Sequence, residues 1–323
     1  MGVNPLFTVA MVTYNRAHLL PRAVNSVLNQ TYQNLELVIV DDGSTDNAEA
    51  VCRGFGDNRI RYHKQSPNSG VLAARNKTLD LAEGDYFAIL DDDDELVPEA
   101  LQTAVDAFQR VSAKNVKIIW FNSWDTERQE RSGWGPDYKE TEAYVRYEDL
   151  ACERIGGDFW QVVSKDIVGE DRFNVGLYNG EQTWWLRLHR KANGYYVPNM
   201  LQNRYREHGN KRISSLQSLL GHSSQLIATN KAIIAECGDD QRRLCPRAYG
   251  RRLAVLGACQ IMSGEKIDGR KSCREAFKYR RWAGFMAIYL LSFVLSGKQI
   301  KALALAGIRV LERLGVVGLL PTR

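Results

Sequence analysis

Residues 87–95 read FAILDDDDE, an apolar run that leads directly into five consecutive acids. An apolar run preceded by a Gly-Asp pair predicts a buried strand whose carboxyl end emerges at the surface. In an α/β sheet, ligands bind at that end. Neighbouring like charges repel one another unless a cation neutralises them. The stretch therefore indicates a site for a hard divalent cation such as Mg²⁺ or Mn²⁺, with a solvated acidic loop as the alternative.

Similar apolar runs surround this stretch and alternate with segments whose apolar residues have helical spacing. Near-continuous apolar runs are typical of parallel strands that are buried on both faces. The alternation predicts an α/β fold, with a mostly parallel, Rossmann-like sheet flanked by helices. Strands are predicted at 6–13, 35–40, 60–63, 86–90 and 116–121, and helices at 19–28, 45–55, 71–82 and 98–111.

Polar clusters follow three of the predicted strands. They are Thr13-Tyr14-Asn15, Asp41-Asp42-Gly43 and the acids from Asp91 to Asp94. The carboxyl ends of parallel strands meet at one edge of a sheet, which is where open α/β sheets bind their ligands. We therefore expect the three clusters to gather at one site.

The second half of the chain changes character. Residues 122–160 are irregular and rich in aromatic and charged groups, which is typical of functional loops. A helix is predicted at 180–190 and a strand at 195–206, and further helices at 216–236, 248–262, 272–295 and 299–314. We therefore expect a sheet-containing domain at 1–215 and a basic helical C-terminal region at 216–323.

The composition is that of an ordinary globular protein, because 44% of the 323 residues are hydrophobic and 25% are charged. Residues 241–323 carry 17 lysines and arginines against four acids, although the net charge of the chain is only +5. This asymmetry predicts that the C-terminal region meets an anionic surface. The six cysteines have no CxxC spacing and no nearby histidines, so no zinc site is expected.

No apolar stretch reaches the ~18 residues that a membrane-spanning helix needs, and the N-terminus lacks the pattern of a secretory signal. Residues 279–320 combine basic and apolar groups, which fits a helix lying in a membrane interface. Packing of that helix against its own domain or a partner subunit is the alternative. We expect a cytoplasmic protein that is peripheral at the cytoplasmic face of the inner membrane.

Five short motifs resemble, in sequence and in order, those of the family 2 glycosyltransferases, whose fold is called GT-A. They are VTYNR at 12–16, VDDGSTD at 40–46, GVLAARN at 70–76, LDDDDEL at 90–96 and GEQTWWLRL at 180–188. The resemblance covers residues 1–215 and leaves the helical C-terminal region outside. One departure is Thr78, where the family usually has glycine.

The resemblance implies a nucleotide-sugar donor, usually a UDP-sugar, at the predicted sheet edge. Thr13, Tyr14 and Asp42 would hold the base, while Arg75 would approach the base or the diphosphate and Asp92 would face the ribose. By the same match, the whole donor site consists of Thr13, Tyr14, Arg16, Asp42, Arg75, Asp91 and Asp92.

The resemblance also implies a divalent metal, Mn²⁺ or Mg²⁺, because a diphosphate leaving group needs a cation where its charge develops. Asp93 would bind the metal with support from Asp91. His208 lies where relatives often carry a histidine that contacts metal or diphosphate, with a purely structural histidine as the alternative.

Glu181 matches the family's catalytic acidic position and would act as the general base toward an acceptor hydroxyl. Many relatives have Glu-Asp at this place, whereas Glu181 is followed by Gln182. Its alternative role is to stabilise the start of a helix. Asp158 and Trp160 follow a Gly-Gly pair and are candidates for the acceptor site, since aromatic faces pack against sugar rings. Trp160 as a core residue is the alternative.

These expectations combine into a metal-dependent, inverting glycosyltransferase that acts on a saccharide or lipid-linked saccharide in surface polysaccharide assembly. A sugar-nucleotide nucleotidyltransferase is less well matched, because the loop at 14–18 lacks the glycines that hold a triphosphate. A dehydrogenase lacks its GxGxxG motif, and an inactive membrane-bound adaptor of the same fold is the non-enzymatic rival. Nucleic acid is not an expected partner, because the basic tail alternates with aliphatic residues.

Overall fold

The computed structural model describes residues 4–111, 115–135, 140–178, 180–205 and 223–313. The chain divides into two compact units. The first comprises Met1–Gly176 and Gly180–His208, and the second comprises Leu177–Asn179 and Gly209–Arg323. Each unit has a hydrophobic core of its own.

A large mixed β-sheet forms the centre of the first unit. Its strands and those of a small separate sheet are β1 Phe7–Thr13, β2 Leu35–Asp41, β3 Ile60–Lys64, β4 Tyr86–Ile89, β5 Glu95–Leu96, β6 Val116–Asp125, β7 Glu130–Arg131, β8 Gly133–Trp134, β9 Ala143–Val145, β10 Gly156–Gly157, β11 Phe159–Ser164 and β12 Asn193–Arg204. The main path of the sheet runs β3-β2-β1-β4-β11-β6-β12-β5. In addition, β7 pairs with β6 and β9 with β12, while β8 and β10 form the separate two-stranded sheet.

Strand β1 lies between β2 and β4 and is parallel to both. The side chains of Val9 and Met11 on β1 are fully buried, as are most of those on β2, which explains why these strands are apolar almost throughout. Thr13 is paired with Asp41 in the β1–β2 register. The expected α/β sheet is confirmed, and the carboxyl ends of β1, β2 and β4 lie at the same edge.

Helices cover the sheet. Those of the first unit are α1 Leu20–Leu28, α2 Ala48–Gly54, α3 Val71–Leu81, α4 Ala100–Val111, α5 Tyr147–Ala151 and α6 Glu181–Lys191. The helix predicted at 45–55 begins only at Ala48, because the Ser44 and Asp46 side chains accept hydrogen bonds from the backbone that follows β1. Asp46 also accepts a bond from the Ala48 N–H group and so supports the start of α2.

Strand β11 was not expected from the sequence. The sequence predicts irregular structure over 122–160, and it predicts no helix or strand between 160 and the helix at 180. It is antiparallel to both β4 and β6 and lies between them. A six-residue strand whose partners are far away in the chain has no local sequence signal beyond a few apolar residues. Because β11 lies beside β4, the segment before Phe159 lies near the acids that follow β4, Asp91 to Asp94.

The second unit is helical, with α7 Ser223–Leu244, α8 Pro246–Met262, α9 Lys266–Phe277, α10 Ala283–Leu291 and α11 Gly297–Arg313. The single helix predicted at 272–295 is wrong, because the chain leaves helical conformation between Phe277 and Ala283. At this break the Tyr279 ring packs edge-on against Tyr249 of α8, 5.4 Å between ring centroids. None of the helices in the described ranges is long and apolar enough to span a membrane.

Candidate functional site

The acidic run forms a turn directly after β4. The Leu90 N–H group still bonds to Ala10 O of β1, and the Asp94 N–H group bonds back to Asp91 O at 3.1 Å. Asp91, Asp93 and Asp94 each offer a carboxylate oxygen, and these atoms lie within 4.8 Å of one another. Carboxylate oxygens are the ligands that Mg²⁺ and Mn²⁺ prefer. We call these three residues the acid cluster.

Burial and mutual repulsion act on the acids of this turn. Burial raises the pKa of Asp92 to about 6. It also raises the pKa of Asp93 and, well above its usual range, that of Asp94, with the Asp91 charge as the next largest cause for both. Each shift reflects a cost of holding negative charge together away from water. A bound divalent cation would offset that cost.

Asp92 is not a member of the acid cluster and is bonded to residues at the end of β1. Its Oδ2 atom accepts a bond from Thr13 Oγ1 at 2.8 Å, and its Oδ1 atom accepts one from Arg16 Nη1 at 2.9 Å. Arg16 Nη1 also lies 3.2 Å from Asp93 Oδ2. Thr13 and Asp92 are both buried, and their polar groups bind each other. The predicted contact of these two residues with a nucleotide-sugar donor stays a prediction.

Tyr14 is an exposed member of the predicted donor residues, with 47% of its surface accessible. Hydrogen bonds to the segment that follows β2 fix the loop that carries Tyr14. The Asn15 N–H group donates to Ser44 Oγ at 2.9 Å, and the Thr45 N–H group donates to Asn15 Oδ1 at 2.7 Å. The ring is therefore held at the sheet edge with a free surface on which a planar base can stack.

Asp42 is engaged by the chain itself. Its carboxylate accepts bonds from Gln65 Nε2 at 2.5 Å and from the N–H groups of Ser69 and Gly70, each at 2.8 Å. Only 2% of its surface is exposed. In this arrangement Asp42 orients the segment before α3. Its predicted contact with a base stays a prediction.

Arg75 joins two of the predicted site residues. Its Nη1 atom lies 2.5 Å from Glu181 Oε1, and its Nη2 atom lies 3.0 Å from Asp91 Oδ1. Glu181 is the first residue of α6. The Arg75 side chain is 13% exposed and that of Glu181 is 31% exposed. The structure thus brings Glu181 to the acid cluster through one guanidinium group.

Residues at the end of β12 also reach the acid cluster, and the sequence patterns do not single them out. Asp94 accepts bonds from Gln202 Nε2 at 2.8 Å and the Tyr205 N–H group at 3.1 Å, and Arg204 Nε lies 3.5 Å away. Each contact joins residues that are more than a hundred positions apart in the chain. The polar end of the strand predicted at 195–206 is the only local feature of the sequence that could have indicated these contacts.

The acceptor candidates have different positions. Arg204 forms an ion pair with Asp158, which places Asp158 next to the acid cluster's buried member Asp94. Trp160 is 1% exposed, stacks on Phe7 and contacts Phe121. Its prediction as an acceptor residue is therefore wrong, since a ring inside the core offers no face to a sugar, and the alternative of a core residue is correct. His208 lies outside the described residues.

Residues 8–157 match the family model described as Glycosyl transferase family 2. This segment is similar to the family 2 glycosyltransferases, and it makes up less than half of the chain. It contains the acid cluster, Tyr14 and Arg75, whereas Glu181 and the end of β12 lie beyond the matched residues. The match confirms the resemblance for the four motifs between 12 and 96, and the fifth motif, at 180–188, lies beyond the matched residues.

A curated protein similar to this chain is GalNAc(5)-diNAcBac-PP-undecaprenol beta-1,3-glucosyltransferase of Campylobacter jejuni. The two are 31% identical over 198 residues, which is 59% of this chain and 62% of that protein. This chain therefore spans less than two thirds of the relative's length.

Two solved structures are similar to this chain in fold. The structure of S. aureus TarS residues 1–349 with UDP-GlcNAc has a TM-score of 0.58 at 16% identity and covers 88% of this chain and 79% of that one. The mannosyltransferase PcManGT from Pyrobaculum calidifontis, solved with GDP-Man and Mn²⁺, has a TM-score of 0.51 at 16% identity, with 90% and 86% covered. The expected GT-A fold is confirmed.

Proposed function

We propose that this protein is a metal-dependent, inverting glycosyltransferase. It moves a sugar from a nucleotide-sugar, in the first instance a UDP-sugar, to a hydroxyl of a saccharide or lipid-linked saccharide in bacterial surface polysaccharide assembly. The observation that carries the proposal is the position of Glu181. Its carboxylate is linked through one arginine to the acid cluster, and this link supports the role of Glu181 as a proton acceptor beside a candidate cation site.

The residues of the acid cluster fit a divalent cation. Three carboxylate oxygens lie close together, and burial penalises the negative charge of Asp93 and Asp94. Such a set matches the hard oxygen ligands that Mg²⁺ and Mn²⁺ take, together with phosphate oxygens of a substrate. Asp91 and Asp93 would hold the ion, because Asp94 is already bonded to the end of β12. The ion would neutralise the negative charge that develops on the diphosphate.

The remaining steps belong to the chain's own residues. Glu181 accepts the proton of the acceptor hydroxyl while that oxygen forms a bond to the anomeric carbon of the donor. The bond between the anomeric carbon and the phosphate oxygen breaks, and its electron pair stays on the nucleoside diphosphate. Attack from the face opposite the leaving group inverts the anomeric configuration, so an α-linked donor gives a β-linked product.

Tyr14 and Arg16 provide the donor side of the site. The exposed Tyr14 ring offers a stacking face for the base, which favours a nucleotide over a free sugar phosphate. Arg16, 35% exposed beside Asp92 and Asp93, offers a cation within reach of a ribose or diphosphate. UDP-GlcNAc in the TarS structure supports a UDP-sugar, and GDP-Man with Mn²⁺ in PcManGT supports the metal.

The acceptor and the location are inferred from the relative and from the second unit. The name of the Campylobacter jejuni relative includes a PP-undecaprenol-linked glycan, which supports a lipid-linked acceptor at the inner membrane. Apolar side chains on the second unit support peripheral contact with that membrane at its cytoplasmic face, since Leu290, Phe293 and Val294 are each more than half exposed. Cations surround them in the sequence.

Calorimetric titration with UDP, GDP, dTDP and CMP tests the proposal. We expect one nucleotide to bind in the presence of Mn²⁺ and not in EDTA. The Asp93→Asn variant should lose that binding, by about tenfold or more, because a metal ligand is removed. Asp106→Asn is the matched control, since Asp106 is an exposed acid on α4 that bonds only to Gln102 among the described residues.

Glu181→Gln separates binding from chemistry. This variant should bind the nucleotide and metal normally but lose about 10²-fold to 10⁴-fold in turnover, because an amide cannot accept the proton. Turnover is measured as UDP release from UDP-glucose, UDP-galactose and UDP-N-acetylglucosamine, with water or added saccharides as acceptor. No metal-dependent nucleotide binding would overturn the proposal in favour of an inactive adaptor, and full turnover in Glu181→Gln would remove Glu181 as the base.

A further inference from the structure

Arg75 has a place in the site that differs from the donor contact its motif implies. Two different nitrogen atoms of its guanidinium group bind two different carboxylates, Glu181 Oε1 at 2.5 Å and Asp91 Oδ1 at 3.0 Å. The side chain is almost enclosed, with 13% exposed. The residue therefore lies between the candidate base and the acid cluster and contacts both at once.

The rigidity of the guanidinium group gives this contact a geometric consequence. Its nitrogen atoms are coplanar and held at fixed separations, unlike the single ammonium of a lysine. Glu181 is the first residue of α6, where the helix determines the backbone position but leaves the long side chain several rotamers. The ion pair with Arg75 selects one of them. Among the residues that the structure describes, the other oxygen of Glu181 has no hydrogen-bond donor and remains open to an acceptor hydroxyl.

We propose that Arg75 is a positioning residue for the general base. It holds Glu181 Oε1 at a fixed distance from Asp91. The Oε2 atom, which accepts no hydrogen bond from a described residue, is thereby placed relative to the donor bound at the acid cluster. The inference rests on the proposed function and names how its base is oriented. It also separates Arg75 from the donor-binding residues Tyr14 and Arg16.

The proposal predicts a loss in turnover without a loss in donor binding. In Arg75→Met the Glu181 side chain is free to rotate, and we expect kcat for UDP release to fall by about 100-fold, as for other small misplacements of a catalytic group. The Kd for UDP with Mn²⁺, measured by calorimetry, should change by less than about threefold. A residue that binds the donor would instead weaken that Kd in proportion.

A double-mutant cycle distinguishes positioning from a general effect on the fold. Once Glu181 is replaced by Gln, its orientation no longer matters, so Arg75→Met should cause little further loss in the Glu181→Gln background. Arg75→Lys should recover only part of the activity, because one ammonium cannot reproduce both contacts. Thermal unfolding of each variant shows whether the fold is kept.

Arg172→Met is the matched control. Arg172 also pairs with a residue of α3, Asp80 at 2.8 Å, but on the surface and without contact to the acid cluster. Its kcat should equal that of the unchanged protein. Additive losses in the cycle, or a Kd that rises with the loss of kcat, would overturn the positioning role. The proposed function itself fails differently, by absence of UDP release in the unchanged protein or by full activity in Glu181→Gln.

Discussion

The carboxylates of the turn at Asp91–Asp94 have different partners, because neighbouring residues of a turn point in different directions. Asp92 is bonded to Thr13 and Arg16 at the end of β1, and Asp94 is bonded to the end of β12. Asp91 is half exposed and contacts Arg75. Asp93 forms an ion pair with Arg16. Two of the acids therefore anchor the turn, while Asp91 and Asp93 remain available for a cation.

His189 on α6 is a residue whose burial has a consequence for stability. Trp120 Nε1 donates to its Nε2 atom at 3.3 Å, and only 4% of its surface is exposed. Burial lowers the pKa of His189 to about 3, whereas an unfolded chain has a histidine pKa of about 6.5. Between these values the unfolded chain binds a proton that the folded chain does not, so stability falls as the pH drops.

We expect His189 to cost the protein up to about 1.4 kcal/mol of unfolding free energy for each pH unit below 6.5, or about 2 kcal/mol between pH 7 and pH 5. His189→Phe should show a shallower loss over that range, although its stability at pH 7 is lower because Trp120 loses an acceptor. Denaturant unfolding at pH 7, 6 and 5 measures both. Trp120→Phe removes the same hydrogen bond but keeps the histidine, so its slope should match the unchanged protein. Equal slopes in all three proteins would contradict the prediction.

Among the elements, α8 and α9 depend on close backbone contact. A Cβ atom built on Gly257 would lie 2.6 Å from Cys273 Sγ and 2.8 Å from Gly269 O. A Cβ atom on Gly269 would lie 2.7 Å from Gly257 O. The two helices therefore approach each other at a pair of facing glycines, and a larger residue at either position would push them apart.

Gly257→Ala should lower the stability of the second unit by about 1–3 kcal/mol, the usual cost of overpacking. The change is detected as an earlier loss of the far-ultraviolet circular dichroism signal on heating. Gly284→Ala on α10 is the control, since no atom lies within 4 Å of its added methyl group. There, alanine's better helix propensity should leave stability equal or slightly higher. An unchanged melting curve for Gly257→Ala would mean that the helices separate without cost.

At the scale of the whole molecule, charge is divided between an acidic sheet edge and a basic C-terminal region. Leu290, Phe293 and Val294 are 59%, 57% and 78% exposed, and Arg270 stacks on the Phe293 ring at 4.0 Å. Exposed apolar groups next to cations are the combination that binds anionic lipid surfaces. All four of these residues belong to the second unit.

Replacing Leu290, Phe293 and Val294 by serine should weaken binding to phosphatidylglycerol vesicles by more than about tenfold, since each apolar side chain withdrawn from water contributes on the order of 1 kcal/mol. Vesicle sedimentation measures the bound fraction. The unchanged protein should bind phosphatidylcholine vesicles much less and should detach as salt rises. Val175→Ser, which alters an apolar residue 59% exposed in the first unit, should bind as the unchanged protein does. Equal binding of the triple variant would rule out this surface.

Much of the fold follows from local patterns. The continuous apolar runs of β1, β2 and β4 and the helical spacing between them predict their elements within a few residues, because burial on both faces or on one face leaves a direct trace in the sequence. Strand β11 and the break between α9 and α10 leave no such trace. Their conformations depend on partners distant in the chain, such as β4 and β6 for β11 and Tyr249 for Tyr279.

The sequence by itself determined the α/β class, the acidic strand end and the identity of the residues that gather there, because residue type and spacing carry that information. Only the tertiary structure decided which acids are anchors, that Trp160 belongs to the core, and that Arg75 joins Glu181 to Asp91. These are contacts between residues that are distant in the chain. Side-chain direction and distance at such contacts depend on how strands and helices pack, which no local pattern encodes.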